Sequence, residues 1–80
     1  MRLPRQLSGQ DLVKALARLG YEQTRQTGSH IRVTTQFRGE HHVTVPDRRT
    51  LPLGTLKSIV RDVARHFERS SDDVVSTLFE

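Results

Sequence analysis

Hydrophobic residues recur at helical spacing near the start of the chain. Five apolar positions fall on one side of a helix of ordinary period: Leu12, Val13, Leu16, Ala17 and Leu19. Ser8 precedes them as an N-cap residue, and Asp11 stands at the position of the acidic residue in a capping box. Gly20 follows them and is suited to end a helix. The pattern therefore predicts a helix between Ser8 and Gly20.

Beyond this helix the period changes to alternation. Residues 21–26 are predicted as a short polar strand, residues 27–29 as a turn, and residues 30–37 as a second strand. A further turn leads to a third strand over residues 41–46. Positions predicted to face the core are Ile31, Val33, Phe37, Val43 and Val45, and those predicted to face away are His30, Arg32, Thr34, Gln36, His42 and Thr44. The three strands are expected to form an antiparallel meander.

Helical spacing returns over residues 53–68, after a loop at residues 47–52. One face of this second helix is apolar: Leu56, Ile59, Val60, Val63, Ala64 and Phe67. The opposite face carries a basic ridge of three cations at four-residue spacing: Lys57, Arg61 and Arg65. We expect His66 to pair with Asp62, which lies one turn earlier.

A short closing helix is predicted after Ser70 or Ser71, anchored by Val74, Val75, Leu78 and Phe79. The expected fold class is α+β, with the order α-β-β-β-α and an extra C-terminal helix. Strands with one apolar face require helices on that face and leave the other face open. With no repeat, linker or low-complexity segment, residues 1–80 are interpreted as one domain. Function is expected on the open face, in the loops and on the basic ridge.

Composition narrows the possible classes of protein. Hydrophobic residues make up 34% of the chain, so the predicted core is thin. There is no cysteine, which excludes disulfides and thiolate zinc sites and is compatible with a reducing cytoplasm. No apolar run approaches the roughly 18 residues that span a bilayer, and the N-terminus lacks the apolar segment of a signal peptide. A cytoplasmic protein that does not enter membranes is expected.

The charge of the chain favours nucleic acid as a partner. The net charge is +4, and Arg supplies eleven of the 13 cations. The planar guanidinium group suits phosphate better than the point charge of Lys does. An ordinary solvated basic surface is the alternative, and it holds unless the charges prove to be clustered.

Two stretches of the chain resemble the HicA toxin family of small messenger-RNA-cleaving proteins. Residues 8–33 are similar to the family's opening, which has a capped helix, a glycine followed by an aromatic residue, and the turn Gly-Ser-His at residues 28–30. Residues 43–63 resemble the family's third strand and second helix, with Gly-Thr-Leu-Lys-Ser-Ile at residues 54–59. Gly-Ser-His alone is unspecific, but both motifs at this distance in an 80-residue chain are specific.

The resemblance implies a fold like that of a double-stranded-RNA-binding domain. It also implies ribonuclease activity with His30 as the catalytic residue, and a HicB-like antitoxin that covers the active site. Many relatives carry another histidine shortly after Val-Pro, whereas this chain has Asp47, Arg48 and Arg49 there. The resemblance therefore does not predict whether this loop contacts RNA or the antitoxin.

The residues themselves are compatible with this chemistry. Cleavage of RNA by its own 2′-hydroxyl needs a base, an acid and positive charge near the phosphate. An imidazole such as that of His30 can donate or accept a proton near neutral pH. This cleavage reaction requires neither a metal ion nor another cofactor. Gly28 permits a tight turn beside a phosphate, and Ser29 offers a hydroxyl or its N–H group. Arg25 and Arg32 flank this turn.

The sequence leaves the roles of several histidines and of the basic ridge open. His42 is either a second proton-transfer group on the face of His30 or a surface residue. His30, His41 and His42 together are compatible with zinc, but no carboxylate stands at a suitable spacing. The basic ridge is either a solvated face or a track for the RNA backbone, in which case the predicted RNA-binding set is Gly28, Ser29, Arg25, Arg32, Lys57, Arg61, Gly54 and Thr55.

Two function classes compete with the ribonuclease. One is a non-catalytic module that binds RNA or protein, and the missing histidine after Pro46 favours it. The other is a structural domain whose open sheet face docks another chain. The preferred RNA sequence is not predicted, because the chain has few aromatic residues to stack on bases.

Overall fold

Helices and strands follow one another along the chain in the predicted order. The computed structural model describes residues 2–80. Its elements are α1 (Gly9–Leu16) with a 3₁₀ turn (Ala17–Leu19), β1 (Glu22–Thr27), β2 (His30–Thr35), β3 (His41–Pro46), α2 (Leu53–Phe67) and α3 (Ser71–Phe79). The α+β class and the α-β-β-β-α order with an added C-terminal helix are therefore confirmed. No helix in these residues is long and apolar enough to cross a membrane.

The predicted capping box of α1 is present. The Ser8 hydroxyl accepts a hydrogen bond from the Asp11 amide at 3.0 Å, and the Asp11 carboxylate accepts one from the Ser8 amide at 3.2 Å. The bond from the Ser8 amide to the carboxylate, with a smaller contribution from the Ser8 hydroxyl, favours the ionised form and holds the pKa of Asp11 below its usual range. Gly20 ends the 3₁₀ turn with a φ of 82°, which favours glycine. The local sequence therefore specifies both ends of the first helical segment.

The three strands form one antiparallel sheet in the order β1-β2-β3. The register pairs His30 with Pro46 and Thr34 with His42. The helices cover the face that carries the apolar residues, and His30 lies on the other face with its side chain exposed. The open face predicted from the alternation is therefore confirmed for His30. Thr34, predicted for the same face, is buried, with its hydroxyl hydrogen-bonded to Thr24 and His42.

Side chains of all three helices and of the covered sheet face form one apolar core. Its members are Leu12, Leu16, Leu19, Tyr21, Ile31, Val33, Val43, Val45, Leu51, Leu56, Ile59, Val60, Val63, Ala64, Phe67, Val74, Val75 and Leu78. Contacts of this core with α3 bury the predicted anchors Val74, Val75 and Leu78. The helix after Ser70 thus belongs to the same packing unit as the sheet.

The prediction that Phe37 faces the core is wrong, because its side chain is 57% exposed. β2 ends at Thr35 and the chain then enters a turn, so the alternation does not extend to residue 37. The fully buried Thr35 takes the last core position, and its hydroxyl donates to the Leu19 carbonyl at 2.8 Å. The Phe37 ring instead lies against Gly20, where a Cβ atom would stand 2.7 Å from it.

The predicted pair of His66 and Asp62 is also wrong. The His66 ring stacks on His41 with centroids 4.4 Å apart, and its Nε2 lies 2.9 Å from the Phe37 carbonyl oxygen. Asp62 lies 3.4 Å from Nε2 of His41, whose Nδ1 lies 2.7 Å from the Tyr21 hydroxyl. His66 therefore contacts β3 and the turn before it instead of Asp62 in its own helix. This arrangement lets the rings of His41 and His66 both be packed and hydrogen-bonded.

Candidate functional site

His30 is the first residue of β2 and directly follows the turn Gly28–Ser29. All residues from Glu22 to His30 are exposed, so a ligand can reach the ring and the turn together. Gly28 has a φ of 57°, and a Cβ added there would meet no atom within 4 Å. The glycine is therefore required by backbone conformation and not by crowding.

The loop after β3 is fastened to this turn. The Asp47 amide donates to the Ser29 carbonyl at 2.6 Å. The Asp47 carboxylate accepts from the Gln10 and Gln26 side-chain amides, each at 3.3 Å. Asp47 directly follows Pro46, and its carboxylate connects α1, β1 and the loop. These contacts give Asp47 a positioning role.

The N-terminus of α1 packs against the same end of the sheet. The Gly9 amide donates to the Arg48 carbonyl at 2.9 Å, and the Leu51 amide donates to the Leu7 carbonyl at 2.7 Å. A Cβ added to Gly9 would stand 2.1 Å from the carbonyl oxygen of Pro46, the residue that pairs with His30. Sequence reasoning missed the requirement for glycine here, since no local feature distinguishes Gly9 from any other first helical residue.

Arg25 and Arg32 are brought together by the sheet. They are direct cross-strand partners of β1 and β2, and Arg32 lies two residues from His30, or about 7 Å along the same face. Among residues 2–80 neither guanidinium has a carboxylate within ion-pair distance. Like charges directly opposite one another destabilise a sheet. A bound anion would remove this repulsion, so the pair is suited to a phosphate beside His30.

The α2 residues of the predicted RNA-binding set lie on the helical layer. They are Gly54, Thr55, Lys57 and Arg61. Because the His66 ring stacks on His41 at the start of β3, α2 runs back along that strand and begins at the end of the molecule that carries His30. Pro52 gives no side-chain cap to the first turn of α2. The structure thus brings this turn to the same end as His30 but not to the same face.

His42 is separated from His30. It lies on the same open face but pairs with Thr34, four residues from His30 along β2, which corresponds to about 13 Å. Its Nδ1 lies 2.8 Å from the Thr34 hydroxyl and its Nε2 lies 3.0 Å from Glu40. Hydrogen bonds from Gln36 and then His42 lower the pKa of Glu40. His42 is therefore too distant to act on a phosphate held at His30.

The histidines also do not assemble into a ligand set for a metal ion. No group of three His, Asp or Glu side chains in the described part of the chain is arranged for coordination. His41 lies at the far end of the sheet from His30, since it pairs with Thr35 whereas His30 pairs with Pro46. The register thus divides the histidines between the two ends of the molecule.

Comparison with known proteins identifies one family. A family model described as HicA toxin of bacterial toxin-antitoxin matches residues 9–64. The match begins at the first residue of α1, includes the whole sheet and the turn before His30, and ends within α2. No curated protein and no solved structure matches the chain.

Proposed function

This chain belongs to the HicA toxin family, and we propose that it is an endoribonuclease that cuts messenger RNA with His30 as its acid and base. The reaction is the attack of a ribose 2′-oxygen on the adjacent phosphorus. The bond from O2′ to phosphorus forms, the bond from phosphorus to O5′ breaks, and the products are a 2′,3′-cyclic phosphate and a 5′-hydroxyl. No metal ion or other cofactor enters this reaction.

The observation that carries the proposal is the position of an exposed imidazole beside two guanidinium groups that form no ion pair within residues 2–80. His30 takes the proton from the 2′-hydroxyl and returns it to O5′, so one ring serves both steps. Arg25 and Arg32 stabilise the negative charge that grows on the phosphate oxygens. The turn at Gly28 and Ser29 supplies backbone and hydroxyl donors to the same group.

The rest of the proposed RNA path crosses the start of α2. The amides of Gly54 and Thr55 and the side chains of Lys57 and Arg61 bind phosphates farther along the strand. Support comes from the direction of α2, which begins at the end that carries His30. Neither Lys57 nor Arg61 forms an ion pair with any residue of the described range 2–80.

The proposed partner is a HicB-like antitoxin in the cytoplasm, which neutralises the toxin by covering His30. An acidic antitoxin surface fits the cations around the turn. We assign residues 1–80 to one HicA-like domain with a topology like that of a double-stranded-RNA-binding domain. The core supports this assignment, because α3 lies beyond the matched residues yet buries its apolar side chains with the rest.

The test is incubation of single-stranded RNA with the wild-type protein and with His30→Ala, in the presence of EDTA, followed by analysis of the product ends. Because His30 is exposed, the variant is expected to keep its melting temperature. Cyclic phosphate ends from the wild type alone are the expected result. Cleavage by both proteins at equal rates would contradict the role of His30.

A non-catalytic module that binds RNA or protein is the second candidate. The observation that favours it is the lack of a second proton-transfer residue beside His30 within residues 2–80, where His42 is distant and Asp47 is held by two glutamines. Intact RNA with both proteins in the same assay, together with tight binding of the RNA, would establish this function instead.

A further inference from the structure

A cleft lined by cations lies between the N-terminal segment and the first turns of α2. Its walls are Arg2, Leu3, Arg5, Leu53 and Lys57. The Leu53 side chain is 55% exposed, so an apolar patch lies among three positive charges. The cleft contains none of the residues that surround His30, and its two arginines belong to no motif of the chain.

Within residues 2–80 the cations of the cleft form no ion pair, a property that they share with Arg25, Arg32 and Arg61 but not with every arginine. Arg38 is paired with Glu68, Arg69 with Asp73, and Arg18 donates to the last carbonyl groups of α3. By contrast, Arg2, Arg5 and Lys57 form no ion pair with any carboxylate in residues 2–80. Three cations around one cleft, with no carboxylate paired to them in the described part of the chain, are suited to an anionic ligand.

Backbone hydrogen bonds connect the cleft to the turn before His30. The Leu51 amide binds the Leu7 carbonyl, which fixes the N-terminal segment beside the loop that enters α2. The Gly9 amide binds the Arg48 carbonyl, and the Asp47 amide binds the Ser29 carbonyl. The cleft and His30 are thus held at two ends of one hydrogen-bonded loop, which also carries Arg48 and Arg49.

From this arrangement we propose that the cleft binds a backbone phosphate of the RNA, outside the nucleotides that contact His30. Arg2 and Arg5 provide forked donors for the phosphate oxygens, Lys57 adds a point charge, and Leu53 packs against the attached ribose. The inference rests on the proposed ribonuclease function and extends its substrate path. It assigns a binding role to the N-terminal arginines.

The test measures binding of a fluorescently labelled single-stranded RNA to His30→Ala protein over a series of KCl concentrations. Each phosphate contact to a single strand contributes about 0.7 to the slope of log affinity against log salt. Arg5→Ala and Lys57→Ala, each in the His30→Ala protein, are expected to weaken binding and to make this slope shallower by about that amount. Lys14→Ala is the matched control, since Lys14 is the other lysine of the chain and lies exposed on α1, outside the cleft.

Because Lys57 already belongs to the proposed RNA path, a slope that is unchanged in Arg5→Ala would overturn the inference whatever Lys57→Ala shows. An equal change in Lys14→Ala would also overturn it, since that result would indicate diffuse attraction. Unchanged RNA binding with lost binding of poly-glutamate would assign the cleft to an acidic protein segment instead. Arg5→Gln replaces Arg5→Ala if circular dichroism shows that the alanine variant is unfolded. Cleavage by the wild type is measured separately, so failure of the ribonuclease proposal is distinguishable from failure of the cleft.

Discussion

The Asp47 amide lies 2.6 Å from the Ser29 carbonyl oxygen, so the loop after β3 is joined to the turn that presents His30. This bond continues the pairing of β2 with β3 beyond Pro46, the last residue in register with His30. The Asp47 side chain adds bonds to Gln10 on α1 and Gln26 on β1. The turn is therefore fixed from three sides, as the proton-transfer role proposed for His30 requires.

Replacing Gly9 by Ala is expected to destabilise this junction. The added Cβ atom would stand 2.1 Å from the Pro46 carbonyl oxygen, so α1 or the end of β3 must move. Overpacking of this kind costs about 1–3 kcal/mol of unfolding free energy. Denaturant titration measures the loss, and the RNA assay is expected to show slower cleavage, because Pro46 pairs with His30.

Gly54→Ala is the matched control for stability. A Cβ at this position meets no atom within 4 Å, and alanine is favoured over glycine within a helix by up to about 1 kcal/mol. Equal or greater stability is expected. If Gly9→Ala is as stable as Gly54→Ala, the close packing of α1 on Pro46 is not a constraint in solution.

Arg32→Ala is expected to separate stability from activity. Removing one member of the cross-strand pair with Arg25 relieves repulsion between like charges, so the melting temperature should stay the same or rise. Loss of a cation beside the phosphate should slow RNA cleavage by about tenfold or more. Arg38→Ala, at a turn remote from His30, should leave cleavage unchanged. A large loss of stability in Arg32→Ala would contradict the idea that the pair exists for a ligand.

Tyr21→Phe is expected to affect stability but not cleavage. The buried hydroxyl lies 2.7 Å from Nδ1 of His41, at the end of the sheet opposite His30. Its loss should cost about 1 kcal/mol at neutral pH, the usual net value of a hydrogen bond. Equal stability of the variant and the wild type would show that the bond to His41 contributes nothing.

The same tyrosine predicts a loss of stability in alkali. Burial, with a smaller contribution from Asp62, raises the pKa of Tyr21 above its ordinary value. The unfolded chain loses the phenolic proton near pH 10 while the folded chain keeps it, so the free energy of unfolding falls as the pH rises above about 10. Tyr21 is the only tyrosine, so absorbance at alkaline pH follows it directly. Tyr21→Phe should remove this part of the pH dependence.

Ser8→Ala tests the cap of α1. Loss of the hydroxyl should cost about 1 kcal/mol of unfolding free energy. The lowered pKa of Asp11 means that this carboxylate stabilises the fold above its unfolded pKa near 4 and loses that effect as the pH falls through the folded value. The Ser8 amide, which is the larger cause of the lowered pKa, is kept in the variant, so titration of Asp11 by nuclear magnetic resonance should show its pKa returning only part of the way toward the ordinary value. An unchanged pKa would contradict a contribution from the Ser8 hydroxyl.

Much of the fold was predictable because periodicity reports which side of its own element each residue occupies. The leucines of α1, the alternation in β2 and β3 and the inward face of α2 all required only local spacing. The exposure of His30 follows from the same alternation, and the cap at Ser8 follows from residues three apart. These features depend on near neighbours in the chain, so the sequence alone determined them.

Tertiary structure decided how the elements meet. Phe37 is exposed because β2 ends at Thr35, and His66 stacks on His41 instead of pairing with Asp62. Tertiary structure also separated His42 from His30 and made Arg25 a direct partner of Arg32. Such relations depend on register and on contacts between residues far apart in sequence, where spacing carries no information about distance.

The chemistry around His30 shows the same division. The sequence by itself determined the outward histidine, the glycine turn before it and the excess of arginine. Only the folded structure shows that residue 9 has no room for a side chain and that Asp47 is hydrogen-bonded beside the turn. It also shows that Arg2, Arg5 and Lys57 line one cleft. The physical reason is that local preferences act within an element, whereas a site arises from side chains that packing brings together.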